Sequence, residues 1–167
     1  MALNVGDRAP HFTLPDQSGE RHKLSSYKGK WVLLYFYPKD DTPGCTKEAC
    51  ALRDHMAEFE KLNVAILGVS VDPIKSHARF AEKYKLPFPL LSDENKQVVN
   101  LYGAWGKKKF MGREYEGTHR MSFLIDPRGK IAKIYAKVKP AEHAEEVLND
   151  VRGLLAARRS SATKRHS

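Results

Sequence analysis

Cysteine is scarce in this chain of 167 residues: it has two, Cys45 and Cys50, which lie five positions apart. So few cysteines exclude a small scaffold held together by several disulfides, and the length is sufficient for a single domain with its own hydrophobic core. The N-terminal residues do not form a basic segment followed by an apolar one, so a secretion signal is not expected. We therefore predict a reducing compartment, the cytoplasm, in which any disulfide would be catalytic or sensory.

Long hydrophobic runs are absent as well. The longest, Trp31 to Tyr37, has seven residues, whereas a transmembrane helix needs about 20. No membrane association is therefore expected. The run is rich in strand-forming residues and apolar on both faces, which is typical of a central strand covered on two sides.

Sequence patterns for binding nucleic acid are also missing, although the formal net charge is +9. The C-terminal residues 156–167 include four Lys or Arg residues and no acidic one, and Lys107–Lys109 form a further basic run. These charges suggest an alternative function, that of a non-enzymatic basic binding module. Because neither a zinc-finger spacing nor an aromatic RNA-binding motif accompanies them, we interpret them as a solvated surface and predict no specific nucleic-acid partner.

The segment that carries chemistry runs from Tyr37 to Cys50, with the sequence Y-P-K-D-D-T-P-G-C-T-K-E-A-C. A helix is predicted to begin near Thr42, which suits the N-cap position because its hydroxyl can accept a hydrogen bond from a backbone N–H. Pro43 suits the first helical position. Cys45 then falls in the first turn, where free N–H groups and the helix dipole favour a thiolate. This pattern indicates an activated sulfur at Cys45 rather than an inert buried cysteine.

The spacing of the two cysteines excludes a disulfide while the helix is intact. Five residues of α-helix correspond to about 7.5 Å of rise and about 140° of rotation, so the Cα atoms lie well over about 8 Å apart. A disulfide requires them within about 7 Å. We interpret Cys45 and Cys50 as a redox pair that bonds only after the first turns unwind. Gly44, about 1 kcal/mol less favourable than alanine in a helix, suits such a segment.

A metal site is an alternative interpretation, since Cys45, Cys50 and His55 have the spacing C-x₄-C-x₄-H. On one helix these three side chains point in directions of about 0°, 140° and 280° and span about 15 Å of rise. A tetrahedral ion with ligand distances of about 2.0 to 2.3 Å cannot bind all three while the helix persists. We therefore predict no metal at this place.

The order of the predicted elements indicates an α/β domain in which strands alternate with helices and hairpins lie at both ends. The predicted strands are 12–14, 21–24, 31–37, 64–71, 121–126 and 131–138, and the predicted helices are 43–62, 74–84, 98–105 and 140–158. We expect a central mixed β-sheet flanked by helices on both faces within residues 1–158, and a basic, disordered tail over 159–167. The reactive segment then lies at the carboxyl end of a central strand, where α/β sheets tend to place their sites.

The segment from Pro38 to Cys50 resembles the active-site signature of peroxiredoxins, P-x-x-x-T-x-x-C, and its C-x₄-C pair resembles the bacterioferritin comigratory protein (Q-type) subfamily. Three further segments are similar to that subfamily: G-D-R-A-P-H-F-T-L-P-D, Y-G-A-W-G-K-K-K-F-M-G and T-H-R-M-S-F-L-I-D-P-R-G. Together they cover roughly residues 5 to 155. The resemblance implies a thioredoxin-like fold.

The resemblance also implies a thiol peroxidase of the atypical 2-Cys type that reduces hydrogen peroxide and organic hydroperoxides. Cys45 matches the cysteine that attacks the peroxide and becomes a sulfenic acid, and Cys50 matches the one that resolves it as an intramolecular disulfide. Thioredoxin or a similar dithiol protein would regenerate the enzyme. Pro38, Thr42 and Arg120 match further active-site positions. The resemblance implies a monomer and no metal, haem or nucleotide.

Simpler interpretations exist for Arg120 and for two further polar residues, Glu48 and His119. Arg120 could be a surface arginine, because nothing in the sequence periodicity brings it near Cys45 and its assignment depends on the resemblance alone. Glu48 lies one turn beyond Cys45 and could bond an Arg or Lys side chain, but its simpler interpretation is an acid that complements the helix dipole. His119, a lone histidine beside Arg120, gives no strong signal.

Overall fold

The computed structural model describes the backbone of residues 2–166 and the side chains of residues 2–159. The strands are β1 Thr13–Pro15, β2 Arg21–Lys23, β3 Trp31–Phe36, β4 Val64–Ser70, β5 Leu90–Ser92, β6 Trp105–Phe110, β7 Arg113–Thr118, β8 Met121–Ile125 and β9 Ile131–Tyr135. The α-helices are α1 Pro43–Asp54, α2 Met56–Lys61, α3 Ile74–Tyr84, α4 Gln97–Leu101 and α5 His143–His166. No helix in the described part of the chain is long and apolar enough to cross a membrane.

Five strands form the central sheet in the order β5-β4-β3-β8-β9. Strand β3 pairs in parallel with β4 and antiparallel with β8, so the sheet is mixed, as predicted. All six residues of β3 are buried. The predicted N-terminal hairpin is the β1–β2 pair, and the predicted C-terminal hairpin is the β8–β9 pair.

The two faces of β3 pack against different layers because successive side chains of a strand point to opposite sides. Leu33 and Tyr35 join a core cluster with residues of α1, α2, α3 and α5. Leu34 and Phe36 join a second cluster with residues of the β1–β2 hairpin and α4. Helices therefore cover both faces of the sheet, which confirms the predicted α/β architecture.

The prediction of one helix over 43–62 is wrong, because the helix is interrupted at His55 between α1 and α2. In a regular helix the His55 N–H would donate to the Ala51 carbonyl. Here the His55 ring Nδ1 donates to that carbonyl at 2.9 Å, and the backbone N–H bonds Leu52 instead. The side chain thus replaces the backbone donor and ends the first helix.

The predicted helix over 98–105 is also too long, since α4 ends at Leu101 and Trp105 opens β6. Gly103 has φ +72°, and the N–H of Ala104 donates to the Val99 carbonyl at 2.7 Å. This left-handed residue with a back-reaching hydrogen bond is a Schellman helix end, for which glycine is favoured.

The β6–β7 hairpin was not predicted, because both strands are exposed and charged and lack an alternating apolar pattern. The two strands form a separate two-stranded sheet. Its turn residues, Met111 and Gly112, both have positive φ. Such turns usually carry asparagine or glycine at the first position, so the methionine hid the signal.

The last helix begins at His143 and its backbone continues to His166, beyond the predicted end at Arg158. The predicted tail, 159–167, falls mostly on side chains outside the described residues. Its disorder stays a prediction.

Candidate active site

At the junction between β3 and α1 the residues lie where the sequence predicts, but one predicted hydrogen bond is absent. Thr42 has extended backbone angles at the N-cap, and Pro43 opens the helix. The predicted cap bond is wrong: the Thr42 hydroxyl accepts nothing from the helix and donates to the Lys39 carbonyl at 2.8 Å. Its proton is therefore directed into the loop, and its oxygen is left to accept a hydrogen bond.

Cys45 lies in the first turn of α1 with 2 % of its surface exposed. Its sulfur accepts a hydrogen bond from Nη2 of Arg120 at 3.3 Å. A cation in contact and a helix N-terminus both favour the thiolate. The two features that activate a cysteine therefore meet at this residue.

Arg120 reaches the sulfur because of sheet register. Strand β8 runs antiparallel to β3 and pairs its first residue, Met121, with Phe36 at the end of β3. Arg120 directly precedes Met121, so it lies beside the loop that follows β3. A Cβ atom at Gly44 would lie 2.9 Å from Nη2 of Arg120, so only glycine gives the guanidinium this approach.

Glu48 is the partner of Arg120 on its other side. Nη1 of Arg120 donates to Oε1 of Glu48 at 2.7 Å, and the carboxyl group is completely buried. It lies three residues after Cys45, which places both on one face of α1. Of the two interpretations of Glu48, the bond to an Arg or Lys side chain is confirmed, and the simple dipole-complementing acid is wrong. The i+3 spacing on a buried helix face was the available signal.

Burial and charge act in opposite directions within this trio. Desolvation raises the pKa of Glu48 to about 7, although the adjacent Arg120 lowers it. Partial burial opposes the charge of Arg120, yet Cys45 and Glu48 together raise its pKa. The Oε2 atom of Glu48 has no hydrogen-bond partner in the described part of the structure. The guanidinium thus bridges the sulfur and a carboxyl group that titrates near neutrality.

We expect Glu48→Gln to be more stable than the wild type at pH 8 and equally stable near pH 4. The pKa of Glu48 is about 7 in the folded protein and near 4.3 in an unfolded chain. Protonated Glu48 therefore contributes fully to the free energy of unfolding below about pH 4.3, and this contribution is lost as the pH rises to about 7. The difference should reach at most about 3 to 4 kcal/mol. Urea unfolding of the reduced proteins across this range measures it.

The exposed residue Glu145 provides the control, since Glu145→Gln should shift stability little at any pH. A Glu48→Gln difference that shrinks as pH rises would contradict the assigned direction.

The loop before α1 is anchored by a buried polar group that sequence analysis missed. Oδ1 of Asp40 accepts from the Tyr37 hydroxyl at 2.6 Å, and Oδ2 accepts from Ser76 at 2.7 Å and lies 2.7 Å from Nδ1 of His77. Nε2 of His77 donates to the Leu91 carbonyl at 3.0 Å. These contacts fasten the loop to α3 and β5. No local sequence pattern links Asp40 with residues more than thirty positions away.

Pro38 lies half-buried in the same loop, and Cys50 lies half-buried near the middle of α1. Both cysteines are free thiols. Cys50 lines a shallow groove of about 330 Å³ that does not include Cys45. The other residues that line this groove are Asp41, Thr42, Pro43, Thr46, Lys47 and Tyr84. The continuous helix between the cysteines keeps them apart, as their spacing predicts.

The structure does not assemble the C-x₄-C-x₄-H pattern into a metal site. The His55 ring bonds Ala51 and faces Glu145, with 3.8 Å between Nε2 and a carboxylate oxygen. Among the described residues, the groups of side chains close enough to share a metal ion include neither cysteine.

Comparison with known proteins identifies the family. The AhpC/TSA family matches residues 5–134. Peroxiredoxin Bcp of Escherichia coli is 52 % identical over 147 residues, which are 88 % of this chain and 94 % of that protein. Peroxiredoxin Bcp of Bacillus subtilis is 44 % identical over 154 residues, 92 % of this chain and 98 % of that one.

Solved structures agree. A mutant of PrxQ from Xylella fastidiosa superposes with a TM-score of 0.88 at 34 % identity, over 93 % of this chain and 99 % of that one. The bacterioferritin comigratory protein of Xanthomonas campestris, described for its alkyl peroxide reduction activity, superposes with a TM-score of 0.81 at 36 % identity, over 85 % of this chain and 90 % of that one. The chain therefore belongs to the AhpC/TSA family and, within it, to the Bcp or Q-type peroxiredoxins.

Proposed function

We propose that Cys45 is the peroxide-attacking residue of a thiol peroxidase and that Cys50 resolves the product. The observation that carries this proposal is the 3.3 Å contact between Nη2 of Arg120 and the Cys45 sulfur at the N-terminus of α1. The named activity of the Xanthomonas relative, alkyl peroxide reduction, supports organic hydroperoxides as substrates beside hydrogen peroxide.

In the first step the Cys45 thiolate attacks the terminal oxygen of the hydroperoxide. A sulfur–oxygen bond forms, the O–O bond breaks, and its electron pair leaves with the other oxygen, which takes a proton and departs as alcohol or water. The sulfur becomes a sulfenic acid. Arg120 donates to the charge that develops, while the Thr42 oxygen accepts from the O–H of the substrate. Pro38, which has no N–H, shields the pocket from water.

In the second step Cys50 attacks the sulfenic sulfur, a disulfide forms and water leaves. The intact helix keeps the thiols apart, so α1 has to unwind first. Asp40 is fastened to α3 upstream of this segment, and the interruption at His55 ends the helix downstream. We infer that the unwinding is confined between these two points.

In the third step a dithiol protein, thioredoxin or one like it, reduces the disulfide by thiol exchange. We propose that the enzyme works as a monomer in the cytoplasm and needs no metal or organic cofactor, since every step above uses sulfur, oxygen and side-chain donors. A compartment that keeps thiols reduced suits two free cysteines.

Rapid mixing of the reduced protein with one equivalent of hydrogen peroxide tests this function. The intact mass should fall by about 2 Da, because forming the disulfide removes two hydrogens. Protein alkylated beforehand on its thiols should show no change. A gain of one or two oxygens that persists in the wild type would mean that Cys50 does not resolve Cys45.

A further inference from the structure

The basic run Lys107–Lys109 does not act as one patch, because strand β6 points alternate side chains to opposite sides. Lys107 and Lys109 are exposed, and the register of the hairpin places them opposite Glu116 and Glu114. Lys108 is half-buried and lies opposite Tyr115. The three lysines thus occupy two different environments.

Glycine shapes the path of the Lys108 side chain. A Cβ atom at Gly117 would lie 3.2 Å from Cδ of Lys108, so the aliphatic stem crosses β7 where no side chain stands. The ammonium then donates to the Thr118 carbonyl at 2.9 Å. Thr118 is buried and is the last residue of β7, two positions before Arg120. Lys108 therefore fastens the segment that presents Arg120 to Cys45.

The charged groups that act on the Lys108 ammonium, Arg120 and Cys45, both belong to the peroxide site. Burial and the Arg120 charge lower the pKa of Lys108, and the Cys45 sulfur acts in the opposite direction. Within the described part of the chain, Lys108 forms no ion pair with a carboxylate. The negative group within its electrostatic reach is thus the sulfur of Cys45, with Glu48 held on the far side of Arg120.

We propose that Lys108 is a positioning residue of the peroxide site, which holds the Thr118–Arg120 segment in place and adds a second positive charge to that segment. This inference depends on the proposed role of Cys45 as the attacking thiolate. The second charge increases the thiolate fraction and adds to the field into which the leaving oxygen departs. The guanidinium belongs to the β7–β8 connection, and the ammonium, which comes from β6, is held against that connection by its bond to the Thr118 carbonyl.

The test is the pH dependence of Cys45 alkylation by iodoacetamide, measured in a Cys50→Ser background. Lys108→Met should move the midpoint of alkylation upward by about 0.5 to 1 pH unit, less than the 1 to 3 units of a charge in contact. Lys107→Met and Lys109→Met, on the same strand, should leave the midpoint in place because exposed charges are screened. Lys108→Arg should retain it.

The rate of Cys45 oxidation by hydrogen peroxide gives the second readout. Below the midpoint, Lys108→Met should react about threefold more slowly, because the loss of thiolate exceeds the gain in intrinsic nucleophilicity. Lys108→Gln provides a second neutral variant, so that a folding defect of one side chain does not decide the result.

Two outcomes would overturn the inference: an unchanged midpoint in folded Lys108→Met and Lys108→Gln, or an equal shift in the Lys107 and Lys109 variants. Neither affects the proposed function, which fails separately if the Cys50→Ser parent itself does not react with peroxide at Cys45. A purely structural role of Lys108 would lower stability without moving the alkylation midpoint.

Discussion

Replacing Cys45 by serine should reduce peroxide-dependent oxidation of thioredoxin to the rate without enzyme. A serine hydroxyl in the same place stays protonated at neutral pH and cannot be oxidised to the sulfenic level, so neither the first step nor the second takes place. Serine is close to cysteine in size, and Cys45 sits within the core cluster, so the fold should persist. Stopped-flow consumption of peroxide coupled to thioredoxin measures the loss.

The matched control is Cys50→Ser, a change of the same chemistry on the same helix. This variant keeps the activated sulfur, the guanidinium and the cap, and should therefore reduce the first equivalent of peroxide at close to the wild-type rate. It should then stop as the sulfenic acid, which excess peroxide converts to the sulfinic acid. Relative to the reduced protein, the mass should be higher by about 16 Da in the sulfenic acid and by about 32 Da in the sulfinic acid.

Normal turnover by Cys45→Ser would overturn the assignment of both cysteines, since Cys50 would then be the attacking residue. The structure argues against that result. Cys50 is half-buried in the middle of α1, away from the helix N-terminus, and no cationic side chain among the described residues forms a hydrogen bond with its sulfur. The two serine variants should therefore fail at different steps.

Local features of this site could be predicted because their causes lie within a few residues. Pro43 fixes a helical φ, Gly44 removes a side chain, and Cys45 follows at the position with free N–H groups. The separation of the thiols follows from helix geometry alone. The hydroxyl of Thr42 shows the limit of such reasoning, since it donates to a carbonyl three residues earlier and accepts no hydrogen bond from the helix N–H groups.

Features set by strand register could not be predicted from periodicity. Arg120 reaches Cys45 because β8 pairs its first residue with the last residue of β3, and no repeat in the sequence encodes that pairing. The partner of Glu48 could not be predicted either, because the hydrogen bond that it accepts comes from Arg120. Family resemblance supplied Arg120; it also covers the segment of Lys108 but gave that residue no role, and the hairpin that places Lys108 has no apolar alternation.

Replacing Arg120 by methionine should lower the second-order rate constant of Cys45 with hydrogen peroxide by about 10² to 10³-fold, the usual cost of removing one donor to a developing charge. The guanidinium serves the sulfur through Nη2 and the Glu48 carboxylate through Nη1. Arg120→Lys keeps a positive charge but cannot donate to both partners from one planar group. Its rate constant should therefore lie between those of the wild type and Arg120→Met.

The single variant carries a complication that the structure predicts. Without Arg120, the buried Glu48 carboxyl loses the hydrogen-bond partner it has among the described residues, and a buried polar group without a partner costs about 1 to 3 kcal/mol. The decisive comparison is therefore Arg120→Met/Glu48→Gln against Glu48→Gln alone, in which no carboxylate is left unpaired. If the double variant is folded and reacts within a factor of three of Glu48→Gln, the guanidinium acts on stability alone. A loss near the predicted size would assign its effect to the sulfur and the departing oxygen.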